Sequence, residues 1–104
     1  MDDTPTAIYT YTLADLTAIM FNVTIIGAKA DYSAALAGTI SGGARRSGGG
    51  AVLIGAPVIS GSEDSGTGTP SLDLNVSGND LIVYVTGEVA TTYNWSAFVI
   101  YQYV

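Results

Sequence analysis

Ser71-Leu72-Asp73-Leu74-Asn75-Val76-Ser77-Gly78-Asn79-Asp80-Leu81-Ile82-Val83-Tyr84-Val85 decides the fold class of this 104-residue chain. Leu72, Leu74 and Val76 alternate with Ser71, Asp73 and Asn75, the period of two that puts apolar side chains on one face of a strand. Four turn-forming residues, 77–80, then lead into a second β-prone run. The stretch reads as a β-hairpin.

The same period extends outward from the hairpin. Over residues 17–28, Ile19, Phe21, Val23 and Ile25 share one face and Met20, Asn22 and Thr24 the other, so the first face is expected in the core. Residues 7–13 read as an opening strand, and residues 1–15 as an N-terminal arm or first strand ahead of a β-sandwich domain over 16–104. After a polar break at 29–31, Tyr32, Ala34, Leu36, Gly38 and Ile40 alternate with small neighbours; a short helix over 33–37 competes with that strand. Residues 41–50, with five glycines, read as a loop. Residues 51–54 read as a short buried strand, 58–60 as a second short piece, and 61–70 as a surface segment without large apolar side chains. No stretch favours the helical period over this one, and the chain is expected to be all-β.

The last strand, over about 92–104, differs from the others. Tyr93, Trp95, Ala97, Val99, Tyr101 and Tyr103 form one face; Asn94, Ser96, Phe98, Ile100, Gln102 and Val104 form the other. Both faces turn apolar from residue 97 onward. A two-layer sandwich dries only one face of a strand, so Phe98 and Ile100 call for a second cover. A neighbouring copy supplies it, or else another segment of the same chain such as the N-terminal one.

Composition narrows the function. Nine acidic against three basic residues give a net charge of -6, which opposes phosphate backbones and anionic membrane surfaces, so neither nucleic acid nor membrane is an expected partner. The chain has no cysteine and no histidine, and with them go thiolate nucleophiles, imidazole bases and the commonest zinc ligands. Charged residues make up 12% against about 25% in typical domains, the balance of a protein whose outside is partly covered by others. No run approaches a membrane span, and the first residues lack the basic start of a signal peptide.

From about residue 17 onward the order of elements resembles small β-sandwich domains of bacteriophage virion proteins. The resemblance rests on Gly50-Ala51-Val52-Leu53-Ile54-Gly55-Ala56-Pro57-Val58, the acidic Glu63-Asp64, Leu81-Ile82-Val83-Tyr84-Val85-Thr86-Gly87-Glu88 and Thr92-Tyr93-Asn94-Trp95-Ser96-Ala97, in that order. It implies a jelly-roll-like antiparallel β-sandwich that trimerises, as a capsid knob or as a distal module of a tail fibre or spike. It implies no catalytic residues, and it says little about the first fifteen residues or the loop after Pro57.

Other motifs fail their patterns. Gly42-Gly43-Ala44-Arg45-Arg46-Ser47-Gly48-Gly49-Gly50 lacks the lysine and following helix of a P-loop. Arg45 and Arg46 suit the carboxylates of a neighbouring protein instead. Residues 62–67 approach an Asp-box but lack its closing Thr-Trp, and Glu63-Asp64 alone falls short of a calcium site. Three glycosylation sequons, at Asn22, Asn75 and Asn94, have no secretion signal ahead of them. Trp95 is expected to anchor the core, with its indole N–H on an acceptor.

The expected function is therefore a capsid decoration (cement) protein, a homotrimer seated on the major capsid protein, made in the host cytoplasm and carried on the virion. About fifteen residues before the sandwich suit an arm better than a fibre shaft. Phe98, Ile100, Tyr101 and Tyr103 are the expected subunit interface; Arg45, Arg46, Asp2, Asp3, Tyr9 and Tyr11 are the expected capsid or partner contacts. No enzyme activity, metal or cofactor is expected. The alternative is a receptor-binding tip for host glycans, motivated by Tyr9, Tyr11, Tyr101 and Tyr103 as stacking platforms.

Overall fold

The computed structural model describes residues 5–63, 71–87 and 91–104, the side chain of Glu63 excepted. Eight strands run β1 Thr6–Thr12, β2 Thr17–Lys29, β3 Ala35–Arg46, β4 Val52–Leu53, β5 Val58–Glu63, β6 Ser71–Ser77, β7 Asp80–Thr86 and β8 Tyr93–Tyr103, and no helix occurs among the described residues. They form two antiparallel sheets, compatible with a β-sandwich. One has the order β1-β7-β6; the other has the order β4-β3-β2-β8, with β5 also paired to β3.

Alternation builds the layers. Ile19, Phe21, Val23 and Ile25 of β2 are at most 3% exposed and meet Leu74, Leu81, Val83 and Val85 from the three-stranded sheet, all at most 1% exposed. Each such side chain stabilises the fold by about 1.5–3 kcal/mol through the area it removes from water. Gly78 takes a φ of 59° in the β6–β7 turn. Residues 6–12 are a sheet strand, β1, paired antiparallel with β7 and irregular in register between Ala7 and Tyr9.

Three local expectations need correction. Residues 41–46 are not loop: β3 continues through them, paired with β2 from Thr17↔Arg46 to Ala28↔Ala35, and the tip is confined to residues 47–50. Leu74 and Pro57 pack where a Cβ at Gly42 would stand, so glycine there serves sheet packing, not a turn. The competing helix over 33–37 does not form, because Ala35, Leu36 and Ala37 are paired with β2 and Leu36 and Ala37 also with β5. Residues 51–54 are buried only in part: Ala51 and Leu53 are half-buried against the core, while Val52 is 46% and Ile54 54% exposed at the edge of the larger sheet.

The smaller sheet is too narrow to cover the larger one. On the core-facing side of β8, Tyr93 is buried and Trp95 and Val99 half-buried, while Ala97, Tyr101 and Tyr103 are exposed. Trp95 still packs against the core and stacks on Tyr93, ring centroids 5.5 Å apart.

Candidate functional site

The outer face of the five-stranded sheet carries several exposed apolar side chains, Phe98, Ile100, Met20, Ile26 and Val58. Its side chains lie in rows fixed by strand register. One row runs Phe98, Thr24, Thr39 and Ser60, and the next runs Ile100, Asn22, Ser41 and Val58, from β8 through β2 and β3 to β5. With strands about 4.8 Å apart, each row is about 14 Å wide. Phe98 is 64% and Ile100 57% exposed, with Met20 and Ile26 about half exposed beside them on β2.

Small residues on β2, β3 and β5 make the middle of this face concave. Thr24, Thr39, Ser60 and Ser62 line a groove of about 550 Å³ against Phe98 and Ile26. Within the next row Ser41 Oγ donates to Asn22 Oδ1 at 2.9 Å, which orients the amide. At one end of the same face Arg45 lies opposite Ala18 on one side and Val52 on the other. No carboxylate of the described residues stands in these rows, so Arg45 gives this face a positive edge in an acidic protein.

Arg46 points the other way and is engaged within the chain. Its Nη1 donates to Leu13 O at 2.9 Å and its Nε to Gly49 O at 2.9 Å. Asp15 Oδ1 accepts from Gly48 N at 2.7 Å and from Leu16 N at 2.9 Å. The Gly48 amide holds the Asp15 carboxyl below its ordinary range; desolvation opposes it, and the Leu16 amide and the Arg46 charge add to the lowering. This clamp ties the β1–β2 corner to the β3–β4 tip. At that corner Leu16 has a φ of 58° and is 79% exposed.

The tyrosines form a cluster at the open side of the sandwich. Tyr11 stands edge-on to Phe21 at 6.0 Å and tilted against Tyr101 at 5.0 Å, and Tyr9 lies 5.7 Å from Phe21. Tyr9 and Tyr11 are therefore half-buried packing residues and not the exposed platforms expected of them. Desolvation, then the neighbouring Tyr101, Tyr103 and Tyr9, raises the Tyr11 hydroxyl above its ordinary pKa. Tyr101 and Tyr103 stack on each other at 6.3 Å and remain 43% and 63% exposed.

Phe98 and Ile100 thus share the outer face, Tyr101 and Tyr103 the opposite face of β8, and Arg45 the far end of the outer face. Asp2, Asp3, Asp64 and Glu88 lie outside the described residues, as does the side chain of Glu63. The groove beside Phe98 was missed from sequence; the serines and threonines at alternate positions of β2, β3 and β5 were its only signal. Among the described residues no group of three His, Cys, Asp or Glu could hold a metal. No protein-family model matches the chain, and no curated protein matches it either.

Proposed function

We propose that the chain is a structural protein of a bacteriophage particle, a capsid decoration or cement protein that packs through the outer face of its five-stranded sheet. One observation carries this reading: Phe98 and Ile100 stand out of a low-charge sheet face with more than half their surface in water. The described N-terminal strand does not cover them, because β1 belongs to the other sheet. Contiguous apolar surface of this kind marks a contact with another protein.

In this reading three copies form a jelly-roll-like knob over a junction between major capsid subunits. The kinship with such knobs and the number three come from the likeness of the sequence to phage virion domains; the two-layer build is in keeping with it. Burying Phe98 and Ile100 supplies the attraction, and Arg45 pairs with a carboxylate of the coat. The test is binding of purified protein to expanded heads that lack it, with native mass spectrometry of the free protein. Binding together with an oligomer is expected; a monomer at micromolar concentration that leaves the heads bare would sink the proposal.

A second reading is supported by the groove. Hydroxyls of Thr24, Thr39, Ser60 and Ser62 beside the Phe98 ring suit a sugar, whose polar edge and apolar face need both, as in a receptor-binding tip of a tail fibre. Binding to a host polysaccharide array that Phe98→Ala abolishes would favour it over the first.

A further inference from the structure

We infer that the open edge of β8 is a strand-addition site for β8 of a second copy, joined antiparallel about a twofold axis at Val99. The contact is made along the strand edge and leaves uncovered the sheet face on which the proposed function rests, although Phe98 and Ile100 border both.

The backbone phase is set by the register with β2. Val104 exchanges backbone bonds with Ala18 in both directions, at 2.9 and 3.3 Å, and Ala30 N donates to Thr92 O at 2.9 Å. In an antiparallel ladder such exchanging pairs recur at every second residue. Even-numbered residues of β8 therefore turn their N–H and C=O toward β2. Those of Ala97, Val99, Tyr101 and Tyr103 turn toward the open side, where no strand of the described residues pairs with β8.

Among the described residues the β8 edge from residue 97 onward carries none of the usual sequence protections. Residues 91–104 contain no charged residue, proline or glycine, and β8 pairs with β2 over eleven residues without a bulge. Edge strands that avoid association carry such features. What the edge would accept is an uncharged extended strand with large apolar groups on both faces.

Its own sequence supplies that partner. A twofold at Val99, perpendicular to the sheet, keeps outer face beside outer face and sets Phe98 opposite Ile100 of the second copy. It also sets Ala97 opposite Tyr101, Ser96 opposite Gln102, and Trp95 opposite Tyr103. Apolar thus meets apolar, polar meets polar, and the smallest side chain meets a large one, which favours cross-strand pairs on both faces. Val99, Ala97 and Tyr101 exchange their outward N–H and C=O groups with the second copy. Moving the axis to Ile100 would set Phe98 against Gln102 and lose the match. The result is one continuous sheet in which the two Phe98–Ile100 patches merge.

The absence of cysteine allows a direct test. At the axis the two Val99 Cα atoms would lie about 5.5 Å apart, inside the roughly 4.4–6.8 Å window of a disulfide. On mild oxidation, Val99→Cys is expected to form a covalent dimer at least about tenfold faster than the exposed control Thr10→Cys, because pairing raises the local thiol concentration. Ala97→Cys mixed with Tyr101→Cys should cross-link as a heterodimer while neither does so alone. Adding Ala97→Lys, at an exposed position, should abolish the Val99→Cys dimer and leave the circular dichroism unchanged. Equal rates for Val99→Cys and Thr10→Cys, faster linking of Ile100→Cys, or indifference to Ala97→Lys would each overturn the inference. If Val99→Cys disturbs folding, the mixed Ala97→Cys and Tyr101→Cys pair decides alone. Capsid binding plays no part in the readout, so this pairing and the proposed function can fail independently.

Discussion

The ring of Trp95 occupies the space that a side chain at Gly27 would need. The two residues are register partners on β8 and β2, and Tyr93 stacked against the indole limits how far the ring can swing. An aromatic side chain laid over a cross-strand glycine covers backbone that water would otherwise reach. Gly27→Ala is therefore predicted to destabilise the fold by about 1–3 kcal/mol, the usual cost of overpacking. Urea unfolding checks the energy, and a red shift of the single tryptophan's emission checks the mechanism.

The corner clamp gives a pH prediction. Asp15 is held below its ordinary pKa by the Gly48 and Leu16 amides and by Arg46, and Asp31 by the Ser33 hydroxyl and amide. A carboxyl depressed in the folded state contributes stability above its unfolded pKa and loses it as pH falls through the folded value. Thermal stability should thus fall on acidification below the ordinary carboxylate range near about 4. Asp15→Asn should flatten that fall while lowering stability at neutral pH, as a melting series across pH would read directly.

Adjacent arginines are predicted to behave differently. Arg46 donates to Leu13 O and Gly49 O, so Arg46→Ala should cost about 1.5–3 kcal/mol of stability, in the range of a hydrogen bond from a charged group. Arg45 is exposed on the outer face, and Arg45→Ala should change stability by less than about 0.5 kcal/mol. Under the proposed function only Arg45→Ala weakens attachment to heads without harming the fold, which paired denaturation and head-binding assays would separate.

Leu16 carries a positive φ without the freedom of glycine and with little burial to offset it. Leu16→Gly is predicted to stabilise the protein or leave it neutral, since about 1–2 kcal/mol of left-handed strain is relieved against the added chain entropy. A loss of more than about 1 kcal/mol in urea would contradict this and assign Leu16 a packing role.

How much was legible in the sequence follows from what sets each element. The β6–β7 hairpin and the buried face of β2 were readable because one dry face imposes alternation: Leu74, Phe21 and Val23 are each at most 1% exposed. The second half of β3 was not, because glycines signal turns locally while here Gly42 makes room for Leu74 and Pro57, which are distant in sequence. Val52 and Ile54 were misread as buried because apolar character does not tell a core from an uncovered sheet face. Tyr9 and Tyr11 were misread as exposed for the complementary reason, since Phe21 packs against them from the other sheet. The position of Phe98 and Ile100 on one face of β8, opposite Trp95 and Val99, did follow from parity alone.

The most direct test of the central claim, that the outer sheet face is a surface made to be covered, is sedimentation velocity of the native chain beside the double variant Phe98→Ser/Ile100→Ser. The account predicts that the native chain sediments as an oligomer at micromolar concentration. The variant should associate clearly more weakly than the native chain, with stability within about 0.5 kcal/mol of the native value because both positions are solvent-exposed in the single chain. A native chain that sediments as a monomer, or a variant that associates as strongly as the native chain, would contradict it.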